Sequence, residues 1–125
     1  GSGATILTYG SGLYLSLEAA TQLAGMGIEA EVIDLRTLKP LDFETIAASV
    51  RKTHRAVVVH EACLSGGFGA EVSARIHSEL FDDLDAPVLR VAARDVPMPF
   101  SPGMEKFVLP KVEDVIGAVR QVTYR

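Results

Sequence analysis

Arg55-Ala56-Val57-Val58-Val59-His60-Glu61-Ala62 (RAVVVHEA, residues 55–62) is the stretch whose reading decides the fold. From Ala56 to Val59 the apolar residues are consecutive, so both sides of an extended chain there are apolar. A strand with one wet face alternates instead. An unbroken run therefore predicts a central parallel strand covered by helices above and below. Ala4 to Tyr9 (ATILTY) is a similar run ending at Gly10-Ser11-Gly12. Ala30 to Leu35 and Pro87 to Ala92 (PVLRVA) complete a set of four predicted strands.

Helical spacing fills the intervals. Leu13, Leu17, Ala20 and Ala24 recur at steps of three and four, with Gly25 and Gly27 as stop signals. Asp42 is a favoured N-cap, Glu44 suits the first turn, and Phe43, Ile46, Ala47 and Val50 form one apolar stripe. Val72, Ile76 and Leu80 follow the glycine-rich stretch at 66–69, and Val112, Val115, Ile116, Val119 and Val122 line a last helix from about Lys111 to Val122. The segment from Asp95 to Lys106 holds Pro97, Pro99, Pro102 and Gly103, which predicts an irregular loop or docking arm. Strand–helix alternation implies right-handed crossovers and a parallel α/β sheet with helices on both faces. Placing the two most apolar strands centrally gives the order 2-1-3-4. That order reverses between strands 1 and 3, where ligand crevices of open α/β sheets lie.

Composition bounds the function. A chain of 125 residues fits one domain, taken as 4–125, with Gly1-Ser2-Gly3 resembling a tag remnant. The net charge of −4 and scattered Lys and Arg argue against a nucleic-acid partner. No apolar run reaches the roughly 18 residues of a membrane span. One cysteine allows no internal disulfide. No signal or transit segment is visible.

Several groups compete as sites. Gly10-Ser11-Gly12 after a strand invites a dinucleotide reading, but position 15 is Leu where the third glycine belongs, so turn geometry is the better account. Ser65-Gly66-Gly67-Phe68-Gly69 precedes a helix whose N–H groups suit an anion, yet it lacks the Lys of a phosphate-binding loop. His60 and Glu61 end the central strand, with Cys63 nearby; adjacent strand residues face opposite ways and cannot share a pocket unless the strand has ended. His54 and His77 read as solvated helix residues, and no metal-ligand spacing appears. Asp82, Asp83 and Asp85 form a short acidic patch, in the usual case a solvated helix end, which could also help receive a basic partner. The expected anion-binding or interface loops are therefore Gly10, Ser11, Gly12, His60, Glu61, Gly66, Gly67, Phe68 and Gly69, with no catalytic residue and no metal ligand. A small nucleotide- or anion-binding α/β domain using these loops is the alternative function.

TILTYG (5–10), DLRTLKPLD (34–42), VVVHEA (57–62), GGFGAEVSARI (66–76) and LDAPVLRVAARDVPMPF (84–100) together resemble, in order and spacing, the C-terminal domain of 2-oxo acid dehydrogenase beta subunits. Pyruvate, branched-chain and acetoin dehydrogenases share this pattern, and transketolase carries a looser relative. The resemblance covers nearly the whole chain. It implies a three-layer α/β/α sandwich whose leading antiparallel edge strand is absent here. It implies an assembly role inside an α2β2 heterotetramer, contacting the alpha subunit and a second beta subunit. It further implies docking of the acyltransferase core's subunit-binding domain, with Asp82, Asp83, Asp85 and Arg125 as candidates. Thiamine diphosphate and Mg2+ belong, on this resemblance, to other domains, and the isolated fragment is inert. The compartment implied is the cytoplasm of a bacterium or the mitochondrial matrix of a eukaryote.

Overall fold

A computed structural model describes residues 3–38, 40–63, 68–97 and 105–124. The strands are β1 (Ala4–Thr8), β2 (Ala30–Asp34), β3 (Ala56–Cys63), β4 (Leu89–Pro97) and β5 (Glu105–Val108). The helices are α1 (Gly12–Gly25), α2 (Phe43–Thr53), α3 (Phe68–Glu79) and α4 (Val112–Val122), with short 3-10 turns at Leu35–Thr37 and Phe81–Asp83. The sheet order is β2-β1-β3-β4-β5. The first four strands are parallel in the predicted order 2-1-3-4, with Thr5 beside Ala56 and Thr8 beside Val59 in the central pair.

Alternation along the central strands sorts the core into two layers. Ala4 and Ile6 of β1 with Val57 and Val59 of β3 pack under Ala19 and Leu23 of α1 and Val115, Val119 and Val122 of α4. Leu7 and Val58 face the other way, against Ile46, Ala47 and Val50 of α2 and Val72 and Ile76 of α3. One polar cluster in this second layer is closed: Thr5 Oγ1 lies 2.7 Å from Ser49 Oγ and 2.8 Å from Thr53 Oγ1, tying β1 to α2. Buried hydroxyls need such partners, because an unmet one costs about 1–3 kcal/mol.

Four expectations are corrected. The segment at 95–106 is not irregular throughout: β4 runs on to Pro97, and β5 pairs antiparallel with it from Arg94↔Val108 to Pro97↔Glu105. The prolines and glycine between the two strands hid a short run, Glu105 to Val108, that contains none. β3 does not end at Val59 but continues to Cys63, with a register irregularity between those residues against β4. The α1 stripe is also displaced. Its buried row is Gly12, Ser16, Ala19 and Leu23, while Leu17 and Ala24 are exposed. Small residues let the helix sit close to the sheet, so packing distance outweighed side-chain hydrophobicity in choosing the inward face.

The fourth correction concerns two histidines. His54 caps α2 in the left-handed region at φ 62°, and its Nδ1 lies 2.7 Å from the Asp83 carbonyl, to which it donates. His77 Nε2 accepts from the Val88 N–H at 3.1 Å. Both rings are half-buried links between α-helical ends and the approach to β4, not solvated side chains. The N-cap at Asp42 is as expected: its carboxylate accepts from the Thr45 N–H at 3.3 Å and the Thr45 hydroxyl at 2.6 Å. Those bonds hold its pKa below the usual carboxylate value.

Candidate functional site

The sheet order reverses between β1 and β3, so the segments leaving their C-terminal ends converge there. From β1 come Thr8, Tyr9 and the turn Gly10-Ser11-Gly12; from β3 comes His60. Gly10 adopts φ +69°, a conformation that a side chain resists, and lets the chain turn back into α1. Gly12 is needed for a different reason. A Cβ there would lie 2.5 Å from Thr8 Oγ1 and 3.2 Å from the Val59 carbonyl oxygen. Gly10 is accounted for by its backbone conformation and Gly12 by close packing, and Ser11 makes no side-chain cap on α1.

On the other face of the sheet, α3 closes over His60. A Cβ at Gly69 would lie 2.6 Å from His60 Cδ2 and 2.7 Å from Nε2. The imidazole is fully buried, and among the described residues neither ring nitrogen has a hydrogen-bond partner. It stacks on Tyr9 at 6.0 Å between centroids and 20° between planes, and Tyr9 meets Phe68 edge-on at 5.9 Å. Burial, and after it the charge of Arg90 on β4, pushes the His60 pKa below its ordinary value. Both effects favour the neutral ring.

Outside these rings lies an apolar groove of about 420 Å3, lined by Tyr9, Leu35, Arg36, Leu38, Leu41 and Phe68 together with Pro40. Five of these come from DLRTLKPLD, a segment singled out for resemblance but not as a surface. Its signal was available: three leucines within seven residues of a connecting loop have no helical or strand period to serve. Asp82 and Asp85 line a second groove of about 630 Å3 with Phe81, Leu84 and Pro87. Asp83 and Asp85 also face Arg51 and Arg55, each pair at 3.7 Å. The acidic patch is therefore partly answered within the chain.

Other expected site residues lie beyond description. Gly66, Gly67 and Arg125 fall outside the described residues, as do the side chains of Glu61 and Cys63. Among the described residues no group of three His, Cys, Asp or Glu could hold a metal ion, and no helix is long and apolar enough to cross a membrane. The exposed aromatics Tyr14, Phe81 and Tyr124 were not anticipated, because a helical or loop aromatic gives no period of its own.

Comparison with known proteins adds to this geometry. The family model described as "Transketolase, C-terminal domain" matches residues 1–115. The chain is 42% identical over 125 residues to a pyruvate dehydrogenase E1 component subunit beta of Rhizobium meliloti (strain 1021), covering all of this chain and 27% of that protein. It is 48% identical over 124 residues to the protein of the same name from Rickettsia felis, covering 99% and 38% respectively. A solved structure titled "Split gene transketolase, inactive beta4 tetramer" superposes with a TM-score of 0.75 at 32% identity, over 99% of this chain and 40% of that one. The chain thus spans well under half the length of these relatives.

Proposed function

The chain belongs to the transketolase C-terminal domain family, and from that premise we propose that it is the assembly and partner-docking domain of a pyruvate dehydrogenase-type beta subunit. One observation carries the reading. Among the described residues, α1 is seated against Thr8 and the Val59 backbone and α3 against the buried His60, with no room for a Cβ at Gly12 or Gly69, while large apolar side chains line a groove outside. A site shaped for a small ligand would show the reverse.

The parent reaction on this reading is oxidative decarboxylation of a 2-oxo acid with acyl transfer to a lipoyl group. Pyruvate is favoured by the names of the relatives, with branched-chain 2-oxo acids and acetoin as the other members of the class. Thiamine diphosphate with Mg2+ would supply carbanion stabilisation in the parent enzyme. On this reading that cofactor is held by other domains of the parent enzyme. Partners are an alpha subunit, further beta-type chains and the acyltransferase core. The beta-to-beta contact draws support from the relative titled as a beta4 tetramer.

A chimera tests the assignment. In the Rhizobium meliloti beta subunit, the matching segment is replaced by this chain and co-expressed with the alpha subunit. The expected result is an assembled complex with pyruvate-dependent activity. A folded chimera that fails to assemble would refute the role. Titrating the 125-residue chain with thiamine diphosphate and Mg2+ is expected to give no binding heat, and micromolar affinity would overturn the assembly-only reading.

A further inference from the structure

His60 is the one ionisable side chain among the described residues that is fully buried with no hydrogen-bond partner. Its surroundings give that isolation a consequence. The backbone of the first turn of α3 is seated directly on the ring, since a Cβ at Gly69 would lie 2.7 Å from Nε2 and 3.0 Å from Cγ. Tyr9 stacks on the ring, and Phe68, the first residue of α3, meets Tyr9 edge-on. Tyr9 and Phe68 are also walls of the apolar groove outside. One chain of contacts therefore joins a titratable ring in the core to a groove at the surface.

A neutral imidazole is tolerated in this seat, whereas an imidazolium is not. Both of its nitrogens become donors that need acceptors, and an unpaired buried charge is costly. The described neighbours offset neither. From β1 the ring meets Tyr9. On α3 the residues nearest it are Phe68, Gly69 and Ala70, with no ionisable side chain before the exposed Glu71. The charge that acts on the ring is the like charge of Arg90 on β4.

We propose that His60 is a proton-operated latch on the first turn of α3: the neutral ring keeps the turn seated, and the charged ring releases it, so that Phe68 leaves the groove wall. The turn is the side that yields. Beneath the ring, Val57, Val58 and Val59 are fully buried in the sheet. Above it, Phe68 is 41% exposed, and the first N–H groups of a helix have no partner within it. The remainder of α3 stays anchored by Val72 and Ile76 in the core. The sign is set by the lowered pKa of the seated ring. Once released, the ring titrates near its ordinary 6.5, so the latch is closed above about that pH. Below it, each pH unit favours release by up to about tenfold. The inference goes beyond the docking assignment and does not depend on it.

Native-state hydrogen exchange of the 125-residue chain at pH 7.5, 6.5 and 5.5, corrected for intrinsic rates, reads the latch. In an α-helix the amides of Val72 and Ser73 bond back to the carbonyls of Phe68 and Gly69, so they report this turn. Leu23 of α1 and Val119 of α4, fully buried in the other layer, report global unfolding. Val72 and Ser73 are expected to be less protected than these references, and to lose about tenfold in protection between pH 7.5 and 5.5. His60→Phe keeps a ring without a titratable group and should abolish that loss. Should it fail to fold, His60→Leu carries the same comparison. Protection of Val72 and Ser73 equal to that of the references, no loss with pH in wild type, or an equal loss in the variant overturns the proposal.

Discussion

Replacing Gly69 with Ala tests how tightly α3 is seated on His60. The new methyl carbon would lie 2.6, 2.7 and 3.0 Å from His60 Cδ2, Nε2 and Cγ, whereas ordinary contacts begin near 3.4 Å. The ring cannot withdraw easily, because it is fully buried and backed by Tyr9. Relief must come from moving the first turn of α3 outward. Overpacking of this kind costs about 1–3 kcal/mol. Alanine's better helix propensity returns up to about 1 kcal/mol, leaving a net loss of roughly 1–2 kcal/mol. For a domain of this size that corresponds to a fall in Tm of about 3–10 °C. Thermal unfolding by circular dichroism measures it, with His60→Ala and the double variant completing a cycle. In the His60→Ala background the ring is gone, and Gly69→Ala should cost nothing or stabilise slightly. An equal loss in both backgrounds would refute the contact as the cause. Gly117 in α4 is the internal control. A Cβ there meets nothing within 4 Å, so Gly117→Ala should stabilise by about 0.5–1 kcal/mol.

Further expectations follow from buried polar groups. His60 has a folded pKa below its ordinary 6.5, so the unfolded chain takes up a proton first as pH falls. Its stabilising effect is complete above about pH 6.5 and is lost below it at up to about 1.4 kcal/mol per pH unit. Denaturant titrations between pH 7.5 and 5 should show that slope, and His60→Phe should flatten it. Glu31 and Asp42, whose pKa values are also lowered, act the same way but below their ordinary 4.5 and 3.8, outside that window. Glu31 owes its shift first to a hydrogen bond with Ser49, then to Lys52 at 2.9 Å. Thr5→Val removes the hydroxyl shared by Ser49 and Thr53 and should cost about 1–3 kcal/mol; a neutral result by urea denaturation would show that Glu31 and the Arg55 carbonyl suffice as partners for Ser49 and Thr53.

The division between sequence and structure follows from what each kind of signal encodes. RAVVVHEA and ATILTY determined the central strands by themselves, because a strand buried on both faces carries consecutive apolar residues where a half-wet strand alternates. The stripes of α2 and α4, the Asp42 cap and the order 2-1-3-4 were equally legible, since period and cap chemistry are local. Tertiary structure alone decided which side of α1 turns inward. Gly12, Ser16 and Ala19 carry little hydrophobic signal, yet their smallness is what admits the helix to the sheet, and the more apolar row is left outside. The same holds for His60: its position in the chain was visible, but the close seating of α3 over it depends on Gly69, nine residues later and on another element. Closeness of approach is a property of pairs of elements, and no single stretch of sequence carries it.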